Sequence, residues 1–154
     1  MRIRFAVLGA TVLATIALRS ADDPILGTWK LNLAKSKYSP GPPPQSQVRS
    51  YAKQAGGIKV LVDTMEAGGQ PTHAEFVVRY DLKGYPVAGA SPFDTISPEK
   101  IDERTVNAEL KQGDRVVLNA MRSVSKDGKT LTITYVGTSE QGKPVNNLAV
   151  FSRQ

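Results

Sequence analysis

The sequence predicts an all-β protein, an antiparallel up-and-down β-barrel of about 8–10 strands. Apolar and polar side chains alternate along many short segments, which is typical of strands that bury one face. Glycine turns separate these segments at regular intervals, and no helix of normal length is visible after residue 21. The 13 glycines and 10 prolines among 154 residues agree with many short strands and tight turns.

The first 21 residues have the order of a secretory signal peptide. Two arginines, Arg2 and Arg4, precede an apolar run over 5–18, and small residues follow at 20–21. About 14 helical residues rise only about 21 Å, less than the bilayer core of about 30 Å, so a membrane anchor is the weaker interpretation. We therefore predict a signal peptide helix over 1–21 and a mature domain over 22–154. The mature protein is expected to be periplasmic or secreted, without stable membrane insertion.

Charge and cysteine content exclude several function classes. The formal net charge is +6, but Arg2, Arg4 and Arg19 lie in the predicted leader, and removing these three leaves 17 basic against 14 acidic residues. This residual charge is spread along the strands, whereas nucleic-acid binding requires a basic patch. We therefore predict no nucleic-acid partner. The absence of cysteine excludes disulfides, thiolate catalysis and cysteine metal sites.

Alternation along the strands predicts which side chains face the barrel interior. The predicted inner rows, in chain order, are Trp29, Leu31 and Leu33; Ile58, Val60 and Val62; Ala74, Phe76, Val78, Tyr80 and Leu82; Val106, Ala108 and Leu110; Val116, Leu118, Ala120 and Val124; and Leu131, Ile133 and Tyr135. Closing such strands into a barrel removes the exposed edges of an open sheet.

Turn chemistry predicts the hairpins and the irregular segments. Asp127-Gly128 predicts a two-residue hairpin turn, because both residues tolerate positive φ. The proline-rich stretch 39–44 cannot supply ladder N–H groups and is expected to form a stiff connector. The stretch 85–101 is expected to be an irregular crossing with one short strand near Thr95, and 33–38 allows one or two helical turns at most.

Catalytic signatures are missing from the sequence. The single histidine, His73, falls on the polar face of a strand and is interpreted as a solvated surface residue. The sequence has no Gly-x-Ser-x-Gly elbow to pair with it and no phosphate-binding glycine loop. We predict that the protein is not an enzyme and has no cofactor and no metal site.

Arg122 is the one anomaly in the inner rows, because it falls in line with Ala120 and Val124. A guanidinium in a dry interior is costly unless it is paired, and a ligand carboxylate is one possible partner. The alternative is that Arg122 lies near the strand end and extends its charge to water.

The first strand resembles that of the calycins. In Leu26-Gly27-Thr28-Trp29-Lys30-Leu31, the Gly-x-Trp pattern is similar to the one that closes the barrel floor in lipocalins and fatty-acid-binding proteins. The chain also resembles a group of uncharacterised, exported, lipocalin-like bacterial proteins. That similarity is carried by 27–37, by Tyr80-Asp81 with Tyr85-Pro86-Val87, by 125–131 and by 142–151. The resemblance implies a barrel in which Trp29 is structural, and it carries no known activity.

Two features depart from the fatty-acid-binding proteins. Their Arg-x-Tyr pair in the last strand is replaced here by Ala149-Val150-Phe151, and their two-helix lid is replaced by the proline-rich connector. These departures disfavour fatty-acid binding specifically, but they are still compatible with an interior cavity.

The predicted function is binding of a small hydrophobic or amphiphilic ligand inside the barrel by an exported protein. The predicted ligand contacts are Arg122, Tyr135, Tyr80, Phe76 and Phe151, with Ile133 and Val78 beside them. The alternative is a ligand-free structural or protein-interaction module of the periplasm or cell surface, which predicts a packed interior and an exposed apolar patch.

Overall fold

A computed structural model of the protein describes residues 22–154. The predicted signal peptide, 1–21, lies outside the described residues. The described chain forms eleven strands and one short 3-10 helix, Leu33–Lys35. The strands are β1 (Gly27–Leu31), β2 (Ser46–Gln54), β3 (Gly57–Met65), β4 (Pro71–Val78), β5 (Tyr85–Pro86), β6 (Ala88–Gly89), β7 (Thr95–Lys100), β8 (Thr105–Gln112), β9 (Arg115–Val124), β10 (Thr130–Thr138) and β11 (Pro144–Arg153).

All strands belong to one antiparallel sheet that curls into a nearly closed barrel, as predicted. The sheet order is β5-β7-β8-β9-β10-β11-β1-β2-β3-β4-β6, so the long strands follow one another as a meander. The first and last strands pair with each other, with Trp29 opposite Arg153. The first and last strands therefore lie side by side, and the gap in the barrel wall, which we call the seam, lies between β4 and β7, in the middle of the chain.

A segment that we call the strap, 79–94, fills this seam. It pairs with β7 through Tyr85 and Pro86 and with β4 through Ala88 and Gly89, and Asp81 forms an isolated bridge to Glu99 of β7. The sequence predicted an irregular crossing here with one short strand near Thr95. The structure has the crossing and the strand β7, and it adds these two short pairings.

The interior is built from the alternating rows that the sequence predicted. The fully buried side chains include Trp29, Val60, Leu110, Leu131 and Phe151. Ile58, Phe76, Val78, Val106, Ala108 and Ile133 are also buried. Burial of apolar surface by these rows is the main stabilising contribution that the fold displays.

The start of β9 differs from the predicted alternation. Val116 was expected inside, but it is 41 % exposed, and Val117 is buried in its place. The reason is a register shift opposite Leu110 and Lys111, where an extra residue in β9 forms a bulge and reverses the two faces. From Leu118 onward the predicted row is restored, with Ala120 and Val124 buried.

Two leucines at predicted inner positions are also exposed. Leu33 lies in the 3-10 helix after β1, and Leu82 lies in the strap after β4 has ended at Val78. Leu82 has a φ of 63°, a left-handed conformation that is uncommon for leucine. The prediction continued the in–out alternation past the ends of the two strands, because β1 ends at Leu31 and β4 at Val78.

The hairpin between β9 and β10 is present, but its turn is longer than predicted. Ser125 to Lys129 connect the strands, and the Gly128 N–H donates to the Ser125 carbonyl at 2.9 Å. Only Gly128 has positive φ, 71°. The prediction of a two-residue turn was therefore wrong, although glycine holds the left-handed position as expected.

Candidate functional site

The barrel holds two adjoining cavities, one deep and one at the mouth. The deep cavity has a volume of about 60 Å³. The mouth cavity has a volume of about 310 Å³ and lies under the proline-rich connector and the end of the strap, with Pro42, Pro44 and Pro92 in its lining. Four residues line both cavities, namely Arg49, Phe76, Phe93 and Tyr135. The two spaces therefore meet at one junction.

Four of the five predicted ligand contacts surround the deep cavity. Phe76 comes from β4, Tyr80 from the strap, Arg122 from β9 and Tyr135 from β10. The structure thus brings together side chains from four separated parts of the chain. Whether they contact a ligand stays a prediction.

Phe151, the fifth predicted contact, lies elsewhere. It is fully buried in the main apolar core and lines neither cavity. Its backbone pairs with Leu31 of β1 on one side and Leu131 of β10 on the other. We therefore treat Phe151 as a core residue and leave it out of the site.

Arg122 is held by the protein's own groups. Its guanidinium donates to the Tyr80 hydroxyl and lies 5.4 Å from the Tyr80 ring centroid and 5.7 Å from that of Tyr51. The Tyr80 hydroxyl in turn donates to Asp23 Oδ2 at 2.8 Å. Arg122 is partly buried and does not face an apolar wall alone, because aromatic faces and, through Tyr80, a carboxylate offset its charge.

Arg49 is the residue that sequence analysis missed. It lies in the middle of β2 and is only 8 % exposed. Its Nη1 donates to the Tyr135 hydroxyl at 2.8 Å, and its Cζ lies 5.9 Å from the Phe151 ring centroid. Its Nε is buried and has no hydrogen-bond partner among the described residues. In the sequence, Arg49 shares one face of β2 with Gln47 and Tyr51. This face is too polar to be predicted as buried from hydropathy.

Positive charge dominates the deep cavity. Among the described residues, its lining contains two arginines and no carboxylate. Neither arginine forms an ion pair with a carboxylate of the described residues. Arginine stays protonated even when it is buried, so the cavity carries two cationic side chains in an apolar setting. Such a site favours an anion over a neutral molecule of the same shape.

Two tyrosines beside the cavities, Tyr38 and Tyr80, have raised pKa values. Burial, reinforced by the neighbouring Tyr135, raises the pKa of Tyr38 to about 12 against the lowering effect of Arg49. Burial also raises the pKa of Tyr80 well above its usual value, and Asp23 adds to this against the opposing effect of Arg122. Their hydroxyls are therefore neutral hydrogen-bonding groups at physiological pH.

Side chains suited to acid–base catalysis are not gathered at this site. His73 lies outside on β4, half-exposed, with its Nδ1 2.7 Å from Asp63 Oδ1 across the β3–β4 pair. Residues 22–154 contain no group of three or more side chains placed to hold a metal ion. The helical part of this same range is too short to cross a bilayer.

The chain matches none of the protein-family models, and no curated protein matches it. The nearly closed antiparallel barrel is compatible with a calycin or lipocalin-like fold. The site's geometry is therefore the basis for a functional proposal.

Proposed function

We propose that this protein binds a small hydrophobic or amphiphilic ligand inside its barrel, as a lipocalin-like binding protein. One observation carries the proposal, namely that the mouth cavity of about 310 Å³ adjoins a deep cavity inside the barrel. Ligand pockets typically occupy about 300–1,000 Å³ and combine apolar walls with a few polar groups. The mouth cavity lies at the lower end of this range, so the ligand is small.

The lining supports binding of an amphiphile. Val62, Ala74, Val87 and Ala149 supply apolar wall in the mouth cavity, and Arg49 and Tyr135 supply polar groups at its inner end. A well-packed interior with a large exposed apolar patch would instead support an interaction module. The interior instead contains two cavities, and the exposed large apolar residues among 22–154 number six, of which three lie on the paired strands β9 and β10.

We further propose that the protein acts outside the cytoplasm as an exported bacterial protein. Support comes from the order of charged, apolar and small residues over 1–21. Comparing the mass of the protein recovered from the periplasm with that of the full chain tests this. Recovery of the uncut chain in the cytoplasm would contradict it.

Titration with N-phenyl-1-naphthylamine, a neutral apolar dye whose fluorescence rises in dry surroundings, tests the binding function. We expect saturable binding with one site. The Ala74→Phe variant adds a ring to the mouth cavity and should weaken dye binding at least tenfold, because Ala74 is buried and lines that cavity.

The matched control is Ala52→Phe, because Ala52 is exposed on β2. It should bind the dye as the wild type does. Equal weakening by both substitutions, or no saturable binding by the wild type, would contradict an interior ligand site.

A further inference from the structure

We propose that Arg49, rather than Arg122, binds the acidic head group of the ligand, and that the ligand is a small amphiphile with one negative charge. The inference rests on the proposed function and deepens it by naming the ligand's chemical class. The two interior arginines differ in how far other groups of the protein compensate their positive charge.

Arg122 has little remaining capacity to bind an anionic ligand, because the protein's own groups already contact its guanidinium. Its charge lies over two tyrosine rings, it donates to Tyr80, and the Tyr80 hydroxyl connects it to the Asp23 carboxylate. It also lines only the deep cavity, whose volume of about 60 Å³ holds a few water molecules rather than an organic head group with its chain.

Arg49 has the opposite properties. It is more than nine-tenths buried, and its Nη1 donates to the Tyr135 phenol hydroxyl, which is not a carboxylate. Its guanidinium lies 5.9 Å from the centroid of one ring, that of Phe151. Its Nε has no partner, and no described carboxylate forms an ion pair with it. A buried cation without a counter-ion is costly for a fold, so an anion that enters the site gains more from Arg49 than from a compensated arginine.

The location of Arg49 between the two cavities also favours it as the ligand's partner. It lines both cavities, so a ligand entering from the mouth reaches it before Arg122. The apolar body of the ligand then occupies the mouth cavity between Ala74, Val87 and Ala149, and the acidic group lies at the junction beside Tyr135. Within 22–154, the mouth cavity's one acidic lining residue is Glu66, which accepts a hydrogen bond from Thr72 at 2.8 Å and forms no ion pair with Arg49.

Carboxylates and sulfonates fit this arrangement, because both accept hydrogen bonds from a guanidinium in its plane. The ligand carries one such group, because Arg122 is already engaged and the deep cavity has no room for a second. The inference therefore excludes neutral lipids and dianions as preferred ligands.

A pair of dyes that share one ring system tests this directly. 1-Anilinonaphthalene-8-sulfonate is N-phenyl-1-naphthylamine with an added sulfonate, so the ratio of their dissociation constants isolates the acidic group. We expect the wild type to bind the sulfonate at least tenfold more tightly. Arg49→Met should abolish that preference and change neutral-dye affinity by less than threefold. Arg122→Met should keep most of the preference, and Arg115→Met, on the exposed start of β9, should keep all of it.

Several results would overturn the inference. Equal affinity of the wild type for both dyes, or loss of the preference in Arg122→Met but not in Arg49→Met, would do so while leaving the proposed function intact. Failure of the wild type to bind either dye would overturn the proposed function as well. Thermal unfolding without dye gives a second readout. Arg49→Met should unfold at the same or a higher temperature, because it removes an uncompensated charge. A clearly lower midpoint would show that the fold itself compensates Arg49, and would contradict the inference.

Discussion

The guanidinium carbon of Arg153 lies 4.2 Å from the centroid of the Trp29 ring. Arg153 also donates to three backbone carbonyls, those of Pro24, Leu26 and Gly128. Trp29 is fully buried and donates from Nε1 to the Ile25 carbonyl at 2.7 Å. One residue from the last strand thus joins the segment before β1, the first strand and the β9–β10 turn.

Removing this contact should destabilise the whole domain. For Arg153→Met we expect the free energy of unfolding to fall by about 3 kcal/mol, because three carbonyls lose a charged donor and the ring loses its cation. Urea denaturation followed by Trp29 fluorescence measures the change. Arg115→Met is the control and should lie within about 0.5 kcal/mol of the wild type. A loss below about 1 kcal/mol for Arg153→Met would contradict this role.

Gly137 in β10 should resist substitution, because β9 passes very close to it at the bulge. A Cβ at Gly137 would lie 2.1 Å from the Val117 carbonyl oxygen. We expect Gly137→Ala to destabilise the protein by about 1–3 kcal/mol through displacement of β9. Gly142→Ala is the comparison, since nothing lies within 4 Å of its added Cβ and only its φ of +75° is strained. Equal thermal midpoints for Gly137→Ala and the wild type would rule out the close approach.

Stability should fall between pH 10 and pH 12. Tyrosine in an unfolded chain ionises near pH 10, whereas Tyr38 in the fold has a pKa of about 12 and that of Tyr80 is also raised. In this window the unfolded state holds fewer protons than the folded state, so the free energy of unfolding decreases as pH rises. Urea titrations at pH 9 and pH 11 should show that Tyr38→Phe loses less stability than the wild type. An identical pH dependence would show that Tyr38 ionises normally in the fold.

The strap should be the first part of the barrel wall to open. It is joined to β4 by two residue pairs and to β7 by two pairs and the isolated bridge between Asp81 and Glu99, whereas β10 pairs through nine residues with β11 and seven with β9. Few ladder hydrogen bonds mean a low free energy of local opening. Hydrogen exchange followed by NMR should therefore show faster exchange for the amides of Val87 and Ala90 than for that of Ile133. Comparable protection at all three would mean that the seam is as stable as the ladders.

The barrel itself was predictable because its strands carry a strong period-two signal. Rows such as Ile58 and Val60, or Leu131 and Ile133, have one apolar face, and a slip of one residue would expose all of it. The predictions of inner residues were wrong at two kinds of place that the period-two pattern cannot reveal, namely a bulge and the end of a strand. Hydropathy cannot show the bulge that buries Val117, nor that β4 ends before Leu82.

The site was only partly predictable for a related reason. Arg122 stood out because its neighbours in β9 are apolar, and the structure does place it inside. Arg49 did not stand out, because Gln47 and Ser50 beside it make β2 look polar on both faces. Its burial depends on long-range partners, Tyr135 and Phe151, which lie about a hundred residues away in the chain. The joining of two cavities at this residue is a property of the closed barrel and has no local sequence pattern.

Alanine methyl groups offer the most direct test of an interior ligand site, because they sample both cavities and the outer surface. Ala74 and Ala149 line the mouth cavity, Ala108 and Ala120 line the deep cavity, and Ala52 and Ala67 are exposed. In a methyl NMR titration with N-phenyl-1-naphthylamine, the resonances of Ala74 and Ala149 should shift and saturate together, while those of Ala52 and Ala67 stay in place. Shifts confined to the exposed alanines, with the cavity methyls unmoved, would contradict binding inside the barrel.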